Sequence, residues 1–256
     1  MQKTVYSNNS VAYLIRGFSL INTPGIRRFV FIPLLVNLVI FAIAFTWLIN
    51  QSQALVTATI DWLPNYFAWL EYLLWPLIVL VLLFGFSYLF STVSNWLAAP
   101  FNGLLAEKIE RLLCHHPLQD DGMLAVVKDI PRTLSREMSK LGYYLPRAIG
   151  FLLLLLFVPV IGQILWFLFN GWMMSIQYLD YAFDNHKLSF RHMRNELSQQ
   201  QGRTLSFGLA VSILALIPLI NLILMPVAIC GATALWVDHY RDHALPQAAR
   251  PQRPAR

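Results

Sequence analysis

The sequence predicts an all-helical protein that is embedded in a membrane. Its 256 residues are 57% apolar and only 12% charged, whereas about a quarter of the residues in a soluble domain are charged. Two uncharged segments, residues 29–49 and 72–90, each have the roughly 20 helical residues that cross a hydrocarbon core. Two further apolar blocks are each interrupted by a proline near the middle. A soluble fold of this size cannot accommodate so much apolar sequence.

The first two apolar segments have the length and composition of complete membrane spans. Residues 29–49 contain no charge and directly follow Arg27 and Arg28. The second segment continues as helix to residue 96, so we expect it to extend beyond the bilayer. The first 28 residues lack a compact apolar core with a cleavage site, and we expect the first span to stay in the mature protein. We therefore predict two long transmembrane helices, at about residues 29–49 and 72–96.

The two later apolar blocks, residues 148–179 and 205–237, predict re-entrant hairpins. Each block is too long for one span and too short for two spans with a turn between them. The interruptions begin at Pro159 and Pro218, and each is closely followed by a glycine or an asparagine. Two half-depth helices that enter and leave on the same side fit this length.

The two blocks also resemble each other, which weakly indicates an internal repeat. After the proline, each block runs on to an aspartate and a tyrosine. These residues are Asp180 and Tyr181 in the first block, and Asp238 and Tyr240 in the second. We interpret the acidic residues as solvated or paired groups at segment ends.

The distribution of basic residues predicts the orientation. All 19 Lys and Arg residues flank the apolar segments, and residues 50–71, between the two spans, contain none of them. Because Lys and Arg are retained on the cytoplasmic side, we predict that both termini are cytoplasmic. This asymmetry also accounts for the net charge of +6, so we do not expect nucleic-acid binding.

The remaining segments complete a single membrane-embedded domain, residues 1–242. Residues 102–144 have mixed charge and helical periodicity, and we predict a polar helical region in the cytoplasm. Residues 243–256 are rich in Pro, Gln, Ala and Arg, and we expect a disordered tail. A helix end at mid-membrane must be buried in protein or face water, so we expect a homo-oligomer within the lipid bilayer, an aqueous cavity, or both.

The segment before the first span predicts an anion site. Thr23 is typical of a helix N-cap and Pro24 of a first helical residue, so the next two backbone N–H groups would be free at the positive helix end. The following guanidinium groups would add charge-assisted hydrogen bonds that suit sulfate, sulfite or phosphate. The alternative is that the arginine pair only anchors the span to anionic headgroups. The predicted anion-binding residues are Gly25, Ile26, Arg27 and Arg28.

Several function classes lack their sequence signatures. The chain contains no GxxxxGK[ST] phosphate loop, no GxSxG nucleophile elbow and no HExxH zinc helix. Its six histidines and two cysteines form no metal-ligand pattern, since the pair His239 and His243, at i, i+4 spacing, lies where the chain enters its polar tail. We therefore expect no enzymatic activity, no cofactor and no metal.

Several longer motifs together carry a resemblance to a known family. They are PGIRRF at residues 24–29, PLLVN at 33–37, NWLAAPFNGLLAE at 95–107, YLPRA at 144–148, residues 178–187, and VAICGATA at 227–234. In this combination, over nearly the whole length up to Asp242, the chain resembles the CysZ family of bacterial inner-membrane sulfate permeases.

The resemblance implies uptake of sulfate, with sulfite as a second candidate substrate, to supply cysteine biosynthesis. It also implies two long spans with partly penetrating hairpins. A Gly-Leu-Arg motif that is associated with sulfate binding in the family corresponds here to Gly25-Ile26-Arg27. The resemblance makes Asn95, Asn102 and Glu107 candidates for a conduction path, in a channel or in an ion-coupled carrier. The alternative function is a non-transporting membrane scaffold whose arginine pair binds anionic lipid.

Overall fold

The computed structural model describes residues 9–61, 71–114 and 122–245, and within these ranges all regular structure is helical. The chain forms two compact units. Unit 1 comprises Met1–Val30 and Asn102–Arg256, and unit 2 comprises Phe31–Phe101. The predicted all-helical class is therefore confirmed.

The helices follow one another with short connections. In chain order they are α1 (Ser10–Ile21), α2 (Arg27–Asp61), α3 (Glu71–Cys114), α4 (Gly122–Phe157), α5 (Pro159–Asn185), α6 (Phe190–Gln199), α7 (Gln201–Ala215), α8 (Pro218–Leu235), a π-helical turn (Trp236–Tyr240) and α9 (Arg241–Ala244).

The described residues of unit 2 belong to α2 and α3, which are two long apolar helices. α2 has 35 residues and α3 has 44, so at 1.5 Å per residue they are about 52 and 66 Å long. Both exceed a hydrocarbon core of about 30 Å. They contain the predicted spans, and large apolar side chains such as Leu35, Ile43, Trp47 and Phe84 are exposed on them.

Both predicted proline interruptions coincide with the start of a helix. α5 begins at Pro159 and α8 begins at Pro218, where the missing proline N–H costs no helical hydrogen bond. Gly162 allows α4 and α5 to approach closely, because a Cβ atom there would lie 2.4 Å from the Cα of Leu155. The turn-like residue after the first proline thus serves interhelical packing.

The arms of the first hairpin differ from the prediction. α4 is continuous from residue 122, so the predicted cytoplasmic region (102–144) and the hairpin (148–179) share one helix. Within the described residues, three stretches are long and apolar enough to cross a membrane: Pro131–Phe157, Pro159–Asn185 and Ile223–Ala244. By contrast, α7 has 15 residues, about 22 Å, which is shorter than the hydrocarbon core.

The core of unit 1 is built where α1, α5, α7 and α8 cross. Glycines allow these crossings, as is common between helices in membranes. A Cβ atom on Gly17 of α1 would lie 2.2 Å from the carbonyl oxygen of Val227 on α8. A Cβ atom on Gly208 of α7 would lie 1.8 Å from the carbonyl oxygen of Gly171 on α5. The short α1 is therefore an integral part of the core.

Ordered structure continues past Asp242, where the prediction ended the domain. Ala244 and Leu245 are buried, and the backbone N–H of Leu245 donates to the carbonyl oxygen of Arg241 at 3.1 Å. The structure thus describes residues 243–245 as part of unit 1. Residues 246–256 of the predicted tail lie outside the described residues.

Candidate anion site and charge network

The predicted anion site lies in the turn between α1 and α2. α1 ends at Ile21, and residues 22–26 form the turn. Gly25 has a φ of 90°, a conformation that residues with a Cβ atom rarely adopt. It is exposed, and a Cβ atom on it would meet no neighbour within 4 Å. Glycine is therefore favoured here by the backbone conformation of the turn and not by a lack of space for a side chain.

The hydrogen bonding of this turn corrects one part of the prediction. α2 begins at Arg27, not at Pro24. The backbone N–H groups of Ile26 and Arg27 donate to the carbonyl oxygen of Thr23, at 3.0 and 3.3 Å, and the Ile26 side chain is 4% exposed. Thr23 therefore closes the turn through its carbonyl, and the N–H group of Ile26 is already used. The positive end of the α2 dipole lies at Arg27 and the residue after it.

Arg27 is the predicted site residue that is open to an anion. It is exposed, and within the described residues its side chain has no hydrogen bond and no ion pair. Arg28 belongs to the first turn of α2, but its side chain lies outside the described residues. A guanidinium group at a helix N-terminus combines charge, fork geometry and the helix dipole, and all three favour an oxyanion.

The residues of the predicted conduction path have different environments. Asn102 on α3 is buried, and its side-chain amide donates to the hydroxyl oxygen of Tyr181 at 3.3 Å. Glu107 is half-buried and forms an ion pair with Arg111 one turn later. The side chain of Asn95 lies outside the described residues. Among the described residues, no hydrogen bond or ion pair joins Asn102 or Glu107 to the turn before α2.

A buried charge network between α4 and α5 was not predicted. Arg136 donates to Oδ1 of Asp180 at 2.7 Å, and Nζ of Lys140 lies 3.1 Å from Oδ2 of the same carboxylate. Side-chain exposure is only 4% for Asp180 and 5% for Lys140. One turn earlier on α4 and one turn later on α5, Arg132 pairs with Asp184. These residues form a ladder, in which three basic groups spaced by four face two acidic groups spaced by four.

A second cluster joins three elements of unit 1 around Glu110. Nε2 of His186, which follows α5, lies 2.8 and 2.9 Å from the two carboxylate oxygens of Glu110. Nε of Arg241 donates to Oε1 at 2.8 Å. Burial of this carboxyl alone would raise its pKa. The hydrogen bond with His186 and the charges of His186 and Arg241 outweigh burial, so the pKa of Glu110 lies below its ordinary value.

The third cluster ties α1 to the π-helical turn. The Tyr13 hydroxyl donates to Oδ2 of Asp238 at 2.8 Å, and Arg16 pairs with the same oxygen at 3.3 Å. The Tyr13 hydroxyl oxygen also lies 3.1 Å from Nε2 of His239. Asp238 occupies the position in its block that Asp180 occupies in the first block. The weak repeat in the sequence thus marked two acidic residues that both pair with basic groups of another helix.

The ion pairs decide which of these groups can bind an added anion. The carboxylates of Asp180, Asp184, Glu110 and Asp238 are each matched by at least one basic side chain. Buried pairs of this kind hold helices together and fix their register. Arg27 differs from the basic groups of the network because no carboxylate compensates its charge within the described residues.

Comparison with known proteins identifies the family. Residues 13–226 match the protein-family model described as "Sulfate transporter CysZ/Etoposide-induced protein 2.4". The chain belongs to the CysZ sulfate transporter family. It is 52% identical over 241 residues to the Sulfate transporter CysZ of Pectobacterium atrosepticum, covering 93% of this chain and 87% of that protein. It is 51% identical over 237 residues to the Sulfate transporter CysZ of Vibrio atlanticus, covering 91% and 94% of the two chains.

Family membership confirms the resemblance seen in the sequence and, with the apolar helices, a location in a membrane. The stretch that matches the CysZ family model includes the turn before α2 and the ladder between α4 and α5. It ends before Asp238 and Arg241, which lie in the last ordered elements.

Proposed function

We propose that the protein carries sulfate, with sulfite as a second candidate, across the bacterial inner membrane and so supplies sulfur for cysteine biosynthesis. The observation that carries this proposal is the identity of more than half of the aligned residues to two proteins named Sulfate transporter CysZ. Both alignments cover more than nine-tenths of this chain. The alternative of a non-transporting scaffold has no comparable support.

In this proposal the turn before α2 captures the anion. Arg27 supplies an exposed guanidinium group that no carboxylate neutralises within the described residues. Arg28 follows it in the first turn of a 35-residue helix, whose dipole favours negative charge there. Gly25 contributes the backbone conformation that shapes the turn, and buried Ile26 anchors the turn to unit 1. Sulfate, a tetrahedral dianion, fits donors of this kind.

The membrane layout that we propose has two complete spans, in α2 and α3, and two hairpins, α4–α5 and α7–α8. The prolines at both hairpin tips support returning helices, and α7 is too short for a full crossing. Both termini face the cytoplasm, where the basic residues are concentrated. A homo-oligomer shields the helix ends that lie inside the bilayer.

The conduction path, in the same proposal, follows the polar residues Asn95, Asn102 and Glu107. Asn102 is buried, and its side-chain amide already donates to the Tyr181 hydroxyl oxygen. Such groups can offer hydrogen bonds to a passing anion in exchange for those they make with one another. The mechanism is channel-like or coupled to an ion.

Growth of a bacterial strain that lacks its own sulfate uptake systems tests the function. Expression of the wild-type chain is expected to restore growth on sulfate as the sole sulfur source. Growth on cysteine, which bypasses sulfate uptake, is the control and should be the same with and without the protein. If the protein reaches the membrane but growth on sulfate is not restored, transport is contradicted and the scaffold is favoured.

A further inference from the structure

The guanidinium groups of two arginines lie against one aromatic ring in unit 1. The guanidinium carbon of Arg147 on α4 lies 3.8 Å from the ring centre of Tyr143, and that of Arg194 on α6 lies 4.6 Å from the same centre. Arg194 also lies 5.3 Å from the ring centre of Phe190, which contacts Tyr143 edge-on. We call Tyr143, Arg147 and Arg194 the Tyr143 cluster.

Within the part of the chain that the structure describes, no carboxylate compensates the charges of the Tyr143 cluster. The two guanidinium carbons are less than about 9 Å apart, so their charges repel each other. Arg147 donates one hydrogen bond, to the backbone carbonyl of Tyr143 at 2.9 Å. Among the described residues, neither arginine has an ion pair, and the buried Nε–H of Arg194 has no hydrogen-bond partner.

The rest of α4 shows how unusual this arrangement is. Arg132 and Arg136, on the same helix, both pair with carboxylates of α5. A buried donor without a partner costs about 1–3 kcal/mol. The Tyr143 cluster therefore has the geometry of a site whose acceptor comes from outside the chain.

The position of the cluster on α4 indicates the source of that acceptor. On its N-terminal side, α4 carries the basic groups of the ladder with α5, and its exposed face mixes Leu134 and Met138 with Ser135 and Ser139. On its C-terminal side, the exposed residues are apolar, including Ile149, Leu152, Leu153 and Leu156. Trp172 donates its indole N–H to the Tyr143 hydroxyl oxygen at 3.3 Å. Aromatic and basic side chains at such a boundary are typical of the level of the lipid headgroups.

We propose that the Tyr143 cluster binds the phosphate group of an anionic membrane lipid. Guanidinium forks match the geometry of phosphate oxygens, and the phosphate relieves the repulsion between the two arginines. The acyl chains of the lipid then lie along the exposed apolar surface of α4. A bound lipid holds α6 against α4 from outside, in addition to the contacts of Tyr143 with Phe190. Free sulfate or phosphate shares the same chemistry, so the test separates the two sources.

Native mass spectrometry of delipidated protein, titrated with phosphatidylglycerol or with phosphatidylcholine, measures the proposed binding. Wild-type protein is expected to hold one phosphatidylglycerol molecule at least tenfold more tightly than phosphatidylcholine. Arg147→Gln/Arg194→Gln should lose this preferred molecule. Arg191→Gln removes an exposed charge from the same helix, α6, and should bind like the wild type. Equal phosphatidylglycerol binding by the double variant, or equal binding of the two lipids by the wild type, overturns the proposal.

Two additions keep the test decisive. Arg147→Gln alone changes an exposed side chain, so the variant should fold normally. Its affinity for phosphatidylglycerol should nevertheless be severalfold lower than that of the wild type. Thermal unfolding with millimolar sulfate or inorganic phosphate then tests the free anion. If inorganic anions stabilise the wild type but not the double variant, and phosphatidylglycerol stabilises neither, the ligand is a free anion and the lipid proposal is wrong.

Discussion

Gly25 and Gly142 show how the effect of Gly→Ala on stability depends on the local backbone conformation. Neither residue has a neighbour within 4 Å of a Cβ position, so Gly→Ala creates no clash at either site. Gly25 has a φ of 90°, and alanine there should cost about 1–2 kcal/mol. Gly142 lies inside α4, and alanine there should stabilise the protein by about 0.5–1 kcal/mol. Thermal unfolding in detergent measures both changes.

The two glycine variants should also differ in their affinity for sulfate. Because strain at residue 25 distorts the turn before α2, Gly25→Ala should also weaken sulfate binding severalfold, measured by calorimetry. Gly142→Ala should leave sulfate binding unchanged. The same sign of stability change for both variants would contradict the structure of the turn.

Glu110 predicts a pH dependence whose direction follows from its pKa. The pKa of this carboxyl is lower in the folded protein than its ordinary value of 4.5. Ionised Glu110 therefore stabilises the fold fully above about pH 4.5, and this stabilisation is lost as the pH falls through the lower, folded pKa.

Glu110→Gln tests this sign against the wild type. The variant loses the charge that faces His186 and Arg241, and should be less stable by about 2 kcal/mol at neutral pH. Melting temperatures measured from pH 3 to pH 7 should converge at the acid end. A difference between variant and wild type that grows as the pH falls would show that the sign is wrong.

At the residue scale, the structure changes the geometry of the predicted anion site, and the binding role of its residues stays a prediction. The sequence predicted a helix start at Thr23 and Pro24, with free N–H groups and two arginines just before a long apolar run. It placed the helix start three residues too early, because it could not show that the carbonyl of Thr23 would accept the N–H groups of Ile26 and Arg27. Hydrogen bonds that close a turn depend on its three-dimensional path.

At the scale of elements, the ladder between α4 and α5 should dominate the stability of the first hairpin. Asp180→Asn leaves Arg136 and Lys140 without their shared carboxylate in a buried site. Removing one partner of a buried ion pair typically costs about 3–5 kcal/mol. Arg132→Gln affects a side chain that is 36% exposed, so it should cost only about 1 kcal/mol or less. Thermal unfolding of the two variants should differ by many degrees, and equal losses would contradict the ladder.

The ladder also explains why the sequence divided α4 between two predicted segments. Arg132, Arg136 and Lys140 suggested a polar cytoplasmic helix that ended at residue 144. In the structure these basic residues face α5, while Leu134, Met138 and Leu141 on the same helix are exposed. The polar face is inside and the apolar face is outside. A charge count along the chain cannot distinguish this arrangement from a solvated helix, although the spacing of four between basic residues was visible.

At the scale of the whole molecule, composition alone was sufficient for the fold class. Few charges and long uncharged runs allow only helices in a membrane, because each backbone group must find its partner within the segment. Both helix starts at Pro159 and Pro218 were also visible in the sequence. The packing of α1 against α8 was not visible, since it depends on glycines 17 and 231, which are far apart in the chain.

The central claim is that the chain transports sulfate and captures it at Arg27 and Arg28. Entry of radiolabelled sulfate into liposomes that contain the purified protein tests it most directly, without ATP and first without an ion gradient. Wild-type protein should admit sulfate. A channel admits it without a gradient, and an ion-coupled carrier admits it once a proton gradient is imposed. Arg27→Ala/Arg28→Ala should lose most of this entry. Lys187→Ala/Arg191→Ala removes two charges from exposed positions elsewhere and should transport like the wild type.

The possible results separate the two parts of the claim. If sulfate enters with the wild type and the Lys187→Ala/Arg191→Ala variant but not with Arg27→Ala/Arg28→Ala, both transport and the anion site are supported. Equal entry with both double variants would contradict capture at Arg27 and Arg28. No sulfate entry with wild-type protein, even under an imposed proton gradient, would contradict transport itself.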